Sequence, residues 1–291
     1  MRRFAFLLLL LLGPLVASAQ LPFDTVFNGR ATFDRLVKEA EAGQWKALPI
    51  GARTAAVGKS LLGTPYKGYT LEIDDHIEAP SVNFTGLDCW TFFETSLAFA
   101  RMLYCPREDW TPQMLLRYIQ LDRYRNGQCD GTYLSRLHYL EEWYQDNERR
   151  RLVNDLTREL GGVRGPHQTG EMTRGWKGYR YMVKNPDLRE EIAQMEARIG
   201  AQPFYYIPNS RVPAIESRLQ TGDIIGICSR DGAGVATSHV GIALRDENGV
   251  LRFMHASAPR NYGKVVIDSR LSEYLVRYST NVGIMVGRPL R

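Results

Sequence analysis

Apolar residues recur through the first two thirds of the chain at the three- and four-residue steps of helices, and through the last third at the shorter steps of strands. Thr32 can cap a helix with Phe33, Leu36, Val37 and Ala40 on one face, and a second helix is predicted from Pro49 to Leu62, ended by Gly63-Thr64-Pro65. A third runs from Cys89 to Tyr104, with Asp88 at its N-cap and Phe93, Leu97, Ala100 and Tyr104 as one stripe. From 111 to 200 the pattern stays mainly helical. Thr111-Pro112 opens one helix, Leu152, Leu156 and Leu160 stripe another, and Asn185-Pro186 opens a last one carrying Leu188, Ile192, Met195 and Ile199. The glycine-rich, basic stretch 161–180 between these reads as a loop. After Pro203 five short β-branched runs follow, at 223–228, 239–245, 250–257, 264–268 and 281–288. Helices followed by an antiparallel sheet make an α+β fold.

The 291 residues suffice for one large domain or two modest ones, and 44% apolar with 24% charged residues argues for a real core without long disorder. The first 20 residues fall outside that core. Arg2 and Arg3, the apolar run Phe4 to Leu12, and Ala17-Ser18-Ala19 have the form of a secretory signal peptide, 1–19, that leaves Gln20 as the new N-terminus. The run is too short for a comfortable span and is broken by Gly13-Pro14, so an exported protein, periplasmic or secreted, is expected, with no stable membrane insertion. Such compartments permit disulfides but supply little ATP or NAD, so no cofactor is expected. Losing Arg2 and Arg3 takes the formal charge of +5 down by two, to +3, a mildly basic surface that suits an anionic polymer and does not call for nucleic acid.

Two places look chemical. In Leu87-Asp88-Cys89-Trp90-Thr91 a cysteine opens an amphipathic helix, where unpaired N–H groups and the helix dipole favour thiolate and can hold an oxyanion. In Thr237-Ser238-His239-Val240-Gly241-Ile242 and Phe253-Met254-His255-Ala256-Ser257, two strands are joined by Glu247-Asn248-Gly249, a three-residue hairpin loop with glycine last. In that register Asp246 faces Val250 and Gly241 faces His255, so His239 and His255 share one face. A nucleophile, a base and an orienter of the base are then available in Cys89, His239 and His255. Taken singly, each has a plainer role: a small buried thiol, or a hydrogen-bonded core histidine.

Leu62-Gly63-Thr64-Pro65-Tyr66, Asp88-Cys89, Gly222-Asp223-Ile224, Ser238-His239-Val240-Gly241-Ile242 and His255-Ala256-Ser257, in that order, resemble the NlpC/p60 cell-wall hydrolases over about residues 60 to 270. The resemblance implies a papain-like core, a helix bearing Cys89 packed on a sheet bearing His239, with His255 as orienter and Tyr66 over the site near the oxyanion. It divides the chain into an N-terminal helical segment, 20–60, and a cysteine hydrolase domain, 61–291, with a helical insertion at about 105–205. Where the common endopeptidases have Asp-Cys-Ser-Gly, this chain has Asp88-Cys89-Trp90-Thr91, and Cys89 and His239 lie 150 residues apart. Both departures resemble the long amidase branch, which implies cleavage between N-acetylmuramic acid and L-alanine in peptidoglycan fragments, favouring anhydro-muropeptides. The alternatives are an endopeptidase cutting between γ-D-glutamate and the diamino acid, and an inactive peptidoglycan-binding module. Substrate-binding candidates are Tyr66, Asp88, Ser238 and Glu94. Asp88 serves equally as N-cap, and Glu94 either faces the cleft or makes a structural hydrogen bond.

Other signals are weaker. Gly58-Lys59-Ser60 lacks the phosphate-loop glycine, since Arg53 occupies its place. His76, His138 and His167 have no metal-ligand spacing with His239, so no metal is expected. Cys105 and Cys129 form either a disulfide or a pair of buried thiols, and Cys228 belongs to the core. Tyr179, Tyr181, Tyr205 and Tyr206 could stack on sugar rings, and Arg149-Arg150-Arg151 reads as a solvated helix face.

Overall fold

A computed structural model describes residues 21–290, so the expected signal peptide lies outside the described residues. Among the described residues the six long helices are α1 (Arg30–Ala42), α2 (Ile50–Ser60), α3 (Cys89–Met102), α4 (Pro112–Arg123), α5 (Leu140–Arg149) and α6 (Leu188–Gly200). The strands of the main sheet are β1 (Val153–Asp155), β2 (Val163–Gly165), β3 (Phe204–Pro208), β4 (Ile224–Asp231), β5 (Gly234–Arg245), β6 (Leu251–Ala256), β7 (Val265–Arg270) and β8 (Asn281–Pro289), with a short helix α7 (Leu271–Val276) before the last. They form one eight-stranded antiparallel sheet in the order β2-β3-β8-β4-β5-β6-β7, with β1 also paired to β8.

The sheet is buried on both faces. Ile224 and Ile242 join a core with α1 to α4, while the alternate residues Ile225, Ile227, Ala243 and Phe253 join a second core with α7. This is the two-residue period of a strand expressed as burial. A third, smaller core gathers Tyr133, Tyr139, Met182, Ile192 and Met195 from the middle of the chain.

Helix α3 is the pillar of the first core. Asp88 caps it by accepting the Thr91 N–H at 2.8 Å, and the Asp88 N–H donates to the Thr91 hydroxyl at 3.0 Å, a reciprocal capping box. Every residue from Thr91 to Met102 is buried, so the helix is enclosed on all sides, against the single stripe expected. It ends two residues before the expected Tyr104, which is 40% exposed and lies under the Arg53 guanidinium. Polar residues in so enclosed a helix need partners, and two buried ion pairs supply them: Arg101–Asp122 at 3.0 Å and Arg123–Glu94 at 2.8 Å.

Two further expectations change. Leu152, Leu156 and Leu160 do not stripe a helix: Val153–Asp155 is an edge strand on β8, and a turn follows in which Asp155 Oδ1 accepts the Thr157 N–H at 2.9 Å. Leu156 and Leu160 are buried all the same and Leu152 is partly buried, so an apolar spacing of four was met by a strand and a turn. The stretch 161–180 is not all loop, since Val163–Gly165 pairs with β3 and Glu171–Arg174 forms a helical turn.

Candidate active site

The β5–β6 hairpin has the expected register. Ile242 pairs with Met254 and Arg245 with Leu251, the Asp246 N–H donates to Val250 O at 2.9 Å, and Gly249 takes φ +76°. His239 and His255 are thereby brought together, with Nε2 of the first 2.7 Å from Nδ1 of the second. Gly241, opposite them, makes room for a neighbour: a Cβ there would come within 2.7 Å of the Phe253 ring. That ring stacks on His255 at 4.7 Å, and Tyr274 meets the same imidazole edge-on at 5.3 Å.

The other nitrogen of His255 faces a residue that sequence reasoning missed. Nε2 lies 3.4 Å from Asp268 Oδ2, and both carboxylate oxygens of Asp268 are bracketed by Arg277, at 3.0 and 3.2 Å. Burial opposes ionisation of Asp268, but the hydrogen bonds from His255 and Arg277 prevail and hold its carboxyl well below the usual range. An ionised carboxylate only accepts, so the His255 Nε2 must carry its proton. The His255 Nδ1 then accepts from the Nε2–H of His239, leaving the His239 Nδ1 as a bare lone pair. The β6–β7 pairing sets His255 opposite Val266, and Asp268, two residues along, shares that face, a register the sequence pattern alone did not disclose.

Cys89 and His239 line the same cleft, about 350 Å³ in volume, together with Tyr66, Asp88, Ser238 and Val240. Helix α3 packs directly on β5 and β6, which sets the cysteine beside the histidine strand. Burial, then the Asp88 carboxylate, pushes the Cys89 thiol up to about 12, against hydrogen bonds from the backbone N–H groups of Val240, Trp90 and Cys89 itself. The expectation that the helix N-terminus makes a standing thiolate is therefore corrected. Asp88 occupies the cap, and its negative charge offsets the partial positive charge that would have stabilised the sulfur. Burial likewise lowers His239 well below the ordinary imidazole value, helped by His255 and Arg260. The resting pair is a neutral thiol and a neutral imidazole, suited to a proton transfer concerted with attack.

Tyr66 is half-buried at the cleft, and burial, then Cys89 and Asp88, raises its phenol to about 12, so it remains a hydrogen-bond donor. Ser238 lines the cleft with its hydroxyl 2.7 Å from that of Ser229. Glu94 is corrected: it is fully buried in its pair with Arg123 and does not line the cleft. Its position a turn beyond the cysteine turns it toward α4, whose last residue is Arg123.

The middle of the chain also lines the cleft, with Arg136, His138, Tyr139, Glu171 and Tyr179. Of the four tyrosines considered for sugars, Tyr179 alone lines this cleft; Tyr181 is buried and stacks on Tyr133. His76 bonds Asn185, His138 bonds Tyr133 O and His167 bonds Glu141, and no group of three or more metal-ligating side chains occurs among the described residues. All four cysteines are free; Cys105 lies 3.4 Å from the Tyr118 hydroxyl and Cys129 3.4 Å from Glu78 O, which favours separate thiols over the disulfide.

The profile of a family described as AmiA-like, N-acetylmuramoyl-L-alanine amidase-like, matches residues 56–284. Among solved structures, an N-acetylmuramoyl-L-alanine amidase from Bacteroides uniformis superposes with a TM-score of 0.73 at 28% identity, over 83% of this chain and 99% of that one. A Bacteroides fragilis protein provisionally described as a xylanase gives 0.69 at 31% identity, over 79% and 98%. A Legionella pneumophila protein gives 0.66 at 20% identity, over 90% and 95%, a likeness of fold alone. No curated protein sequence matches the chain.

Proposed function

Since the chain belongs to the AmiA-like, N-acetylmuramoyl-L-alanine amidase-like family, we propose that it is a cysteine amidase of the papain-like NlpC/p60 type. On this reading it hydrolyses the amide between N-acetylmuramic acid and L-alanine in peptidoglycan fragments, anhydro-muropeptides among them, after export to the periplasm or medium. The observation that carries the reading is the 2.7 Å contact that buried His255 makes with His239, which lines the same cleft as Cys89.

The steps follow from the protonation states. As the Cys89 sulfur attacks the lactyl carbonyl, its proton passes to the His239 Nδ1, and the carbonyl oxygen becomes an oxyanion. The N–H groups of the first turn of α3 and the Tyr66 hydroxyl are the donors at hand. His239 returns the proton to the alanine nitrogen, which departs as an amine and leaves a thioester on Cys89. Water then gives a proton to the same imidazole and attacks the thioester; the lactyl carboxylic acid forms and the thiol is restored.

Incubating a purified anhydro-muropeptide with the protein and weighing the products by mass spectrometry tests the bond. Free amino sugar with an intact stem peptide is expected, and a released dipeptide would reveal the γ-D-glutamyl endopeptidase. Cys89→Ala should abolish turnover while leaving ligand binding; undiminished turnover in that variant would refute the cysteine mechanism, and none in the wild type would leave only a binding module.

A further inference from the structure

Behind the reactive cleft a line of four side chains runs to the surface: His239, His255, Asp268 and Arg277. Burial falls off along it. The side chains of His255 and Asp268 are 2% and 3% exposed, whereas that of Arg277 is 38% exposed. Three of the four are held from more than one side. Asp268 also accepts the Ser269 N–H at 2.6 Å, Arg277 also reaches the Ser269 hydroxyl at 2.9 Å, and the His255 ring is packed between Phe253 and Tyr274. Histidine is the one member that can donate from either nitrogen, so the direction of its proton must be set from outside.

We propose that Asp268 and Arg277 are positioning residues for the hydrolytic centre: Asp268 fixes the tautomer of His255 and so leaves the His239 Nδ1 bare as the base, and Arg277 moderates the pull of that carboxylate. The proposal rests on the cysteine-hydrolase reading. With Asp268 neutral, His255 is free to place its proton on Nδ1. It then donates to the His239 Nε2, the proton of His239 moves to Nδ1, and no bare nitrogen is left on His239 to take the thiol proton. The two residues act on the imidazolium with opposite sign, the carboxylate stabilising it and the guanidinium destabilising it. Other charged or titratable groups face the chain of residues: Arg260 acts on His239, the Tyr274 phenol lies beside His255, Tyr262 and Tyr278 lie near Arg277, and Cys89 and Asp88 hold the cleft side. None of them changes between the two variants below.

The test compares the acidic limb of the kcat/KM profile for an anhydro-muropeptide in Asp268→Asn and Arg277→Gln, from about pH 4 to pH 9. Asp268→Asn is expected to lose on the order of 10²-fold or more in kcat, with the limb displaced to lower pH. Arg277→Gln is expected to keep kcat within about threefold on the plateau, with the limb displaced to higher pH. A parallel readout that needs no turnover is the pH dependence of iodoacetamide labelling at Cys89, followed on its own peptide. Displacements of opposite sign support the proposal, because mere loosening of the structure would lower both rates without moving the limbs apart. Coincident limbs, or limbs moved the same way, overturn it. Should Asp268→Asn not fold, Arg277→Gln decides alone: an upward displacement supports, and an unmoved or lowered limb refutes. Cys89→Ala keeps the two questions apart. An active Cys89→Ala sinks the cysteine-hydrolase reading itself, whereas an inactive one with coincident limbs sinks only the relay.

Discussion

Replacing Glu94 by alanine separates support of the cysteine helix from contact with substrate. In the wild type the Arg123 Nε donates to Glu94 Oε2 at 2.8 Å and its Nη1 to Ser81 O at 3.0 Å, with side chains 1% and 0% exposed. The alanine variant leaves a buried guanidinium with only the Ser81 carbonyl and, at 3.5 Å, the Ser81 hydroxyl as hydrogen-bond partners among the described residues. Breaking a buried pair from one side costs about 3–5 kcal/mol, much of it the penalty of the remaining charge. With a urea dependence of about 3 kcal/mol/M, expected for a chain larger than the small-protein range, the unfolding midpoint should fall by roughly 1–1.7 M. Removing both charges together, as Glu94→Leu with Arg123→Met, should recover most of that loss, because well-packed apolar replacements of buried pairs are often near neutral. The assay is urea unfolding followed by far-ultraviolet circular dichroism, with KM measured on whatever remains folded. An unchanged midpoint with a raised KM would refute the reasoning and return Glu94 to the cleft.

Two shorter predictions concern charge at the site. Asp88→Asn keeps an N-cap but removes the carboxylate that helps raise Cys89, so the thiol should titrate below its value of about 12 and alkylate faster at neutral pH; thiolate absorbance against pH checks it, and an unmoved titration would contradict the part given to Asp88. Asp268 has a folded pKa below its unfolded one, so the stability it contributes is fully present above about pH 4 and is lost as the pH falls through the folded value. The gap in urea midpoint between the wild type and Asp268→Asn should therefore be widest near neutrality and shrink in acid, and a gap that widens in acid would contradict the linkage.

The parts of the fold that the sequence disclosed are those whose local chemistry and tertiary role agree. Asp88 is an N-cap in sequence and in space, and Glu247-Asn248-Gly249 fixes a register that carries His239 to His255. The residues of α1 expected inside, Phe33, Leu36, Val37 and Ala40, are its buried ones. Where tertiary contacts decide, the pattern was mute or misleading. Leu152 to Leu160 keep a helical spacing, yet β8 offers Val153–Asp155 an unpaired edge, and ladder hydrogen bonds outweigh a weak propensity. Asp268 and Arg277 were not legible because their partner is a histidine on the neighbouring strand, and the β6–β7 register shifts at a bulge between Arg252 and Met254. Glu94 and Arg123 are separated by 29 positions, and charge alone did not say that both would be withdrawn from water.

The last strand, β8, lies not at a border of the sheet but between β3 and β4, and it holds β1 as well. Until the ribosome has delivered Asn281–Pro289, the strands already made have a gap in their middle, and the cysteine made some two hundred positions earlier stands on an unfinished scaffold. Ring closure over such distances is slow, and a product stopped before β8 lacks the strand that joins β3 to β4. Synthesis order thus acts as a safety catch: the sheet that carries His239 and His255 is complete only once Asn281–Pro289 has been made.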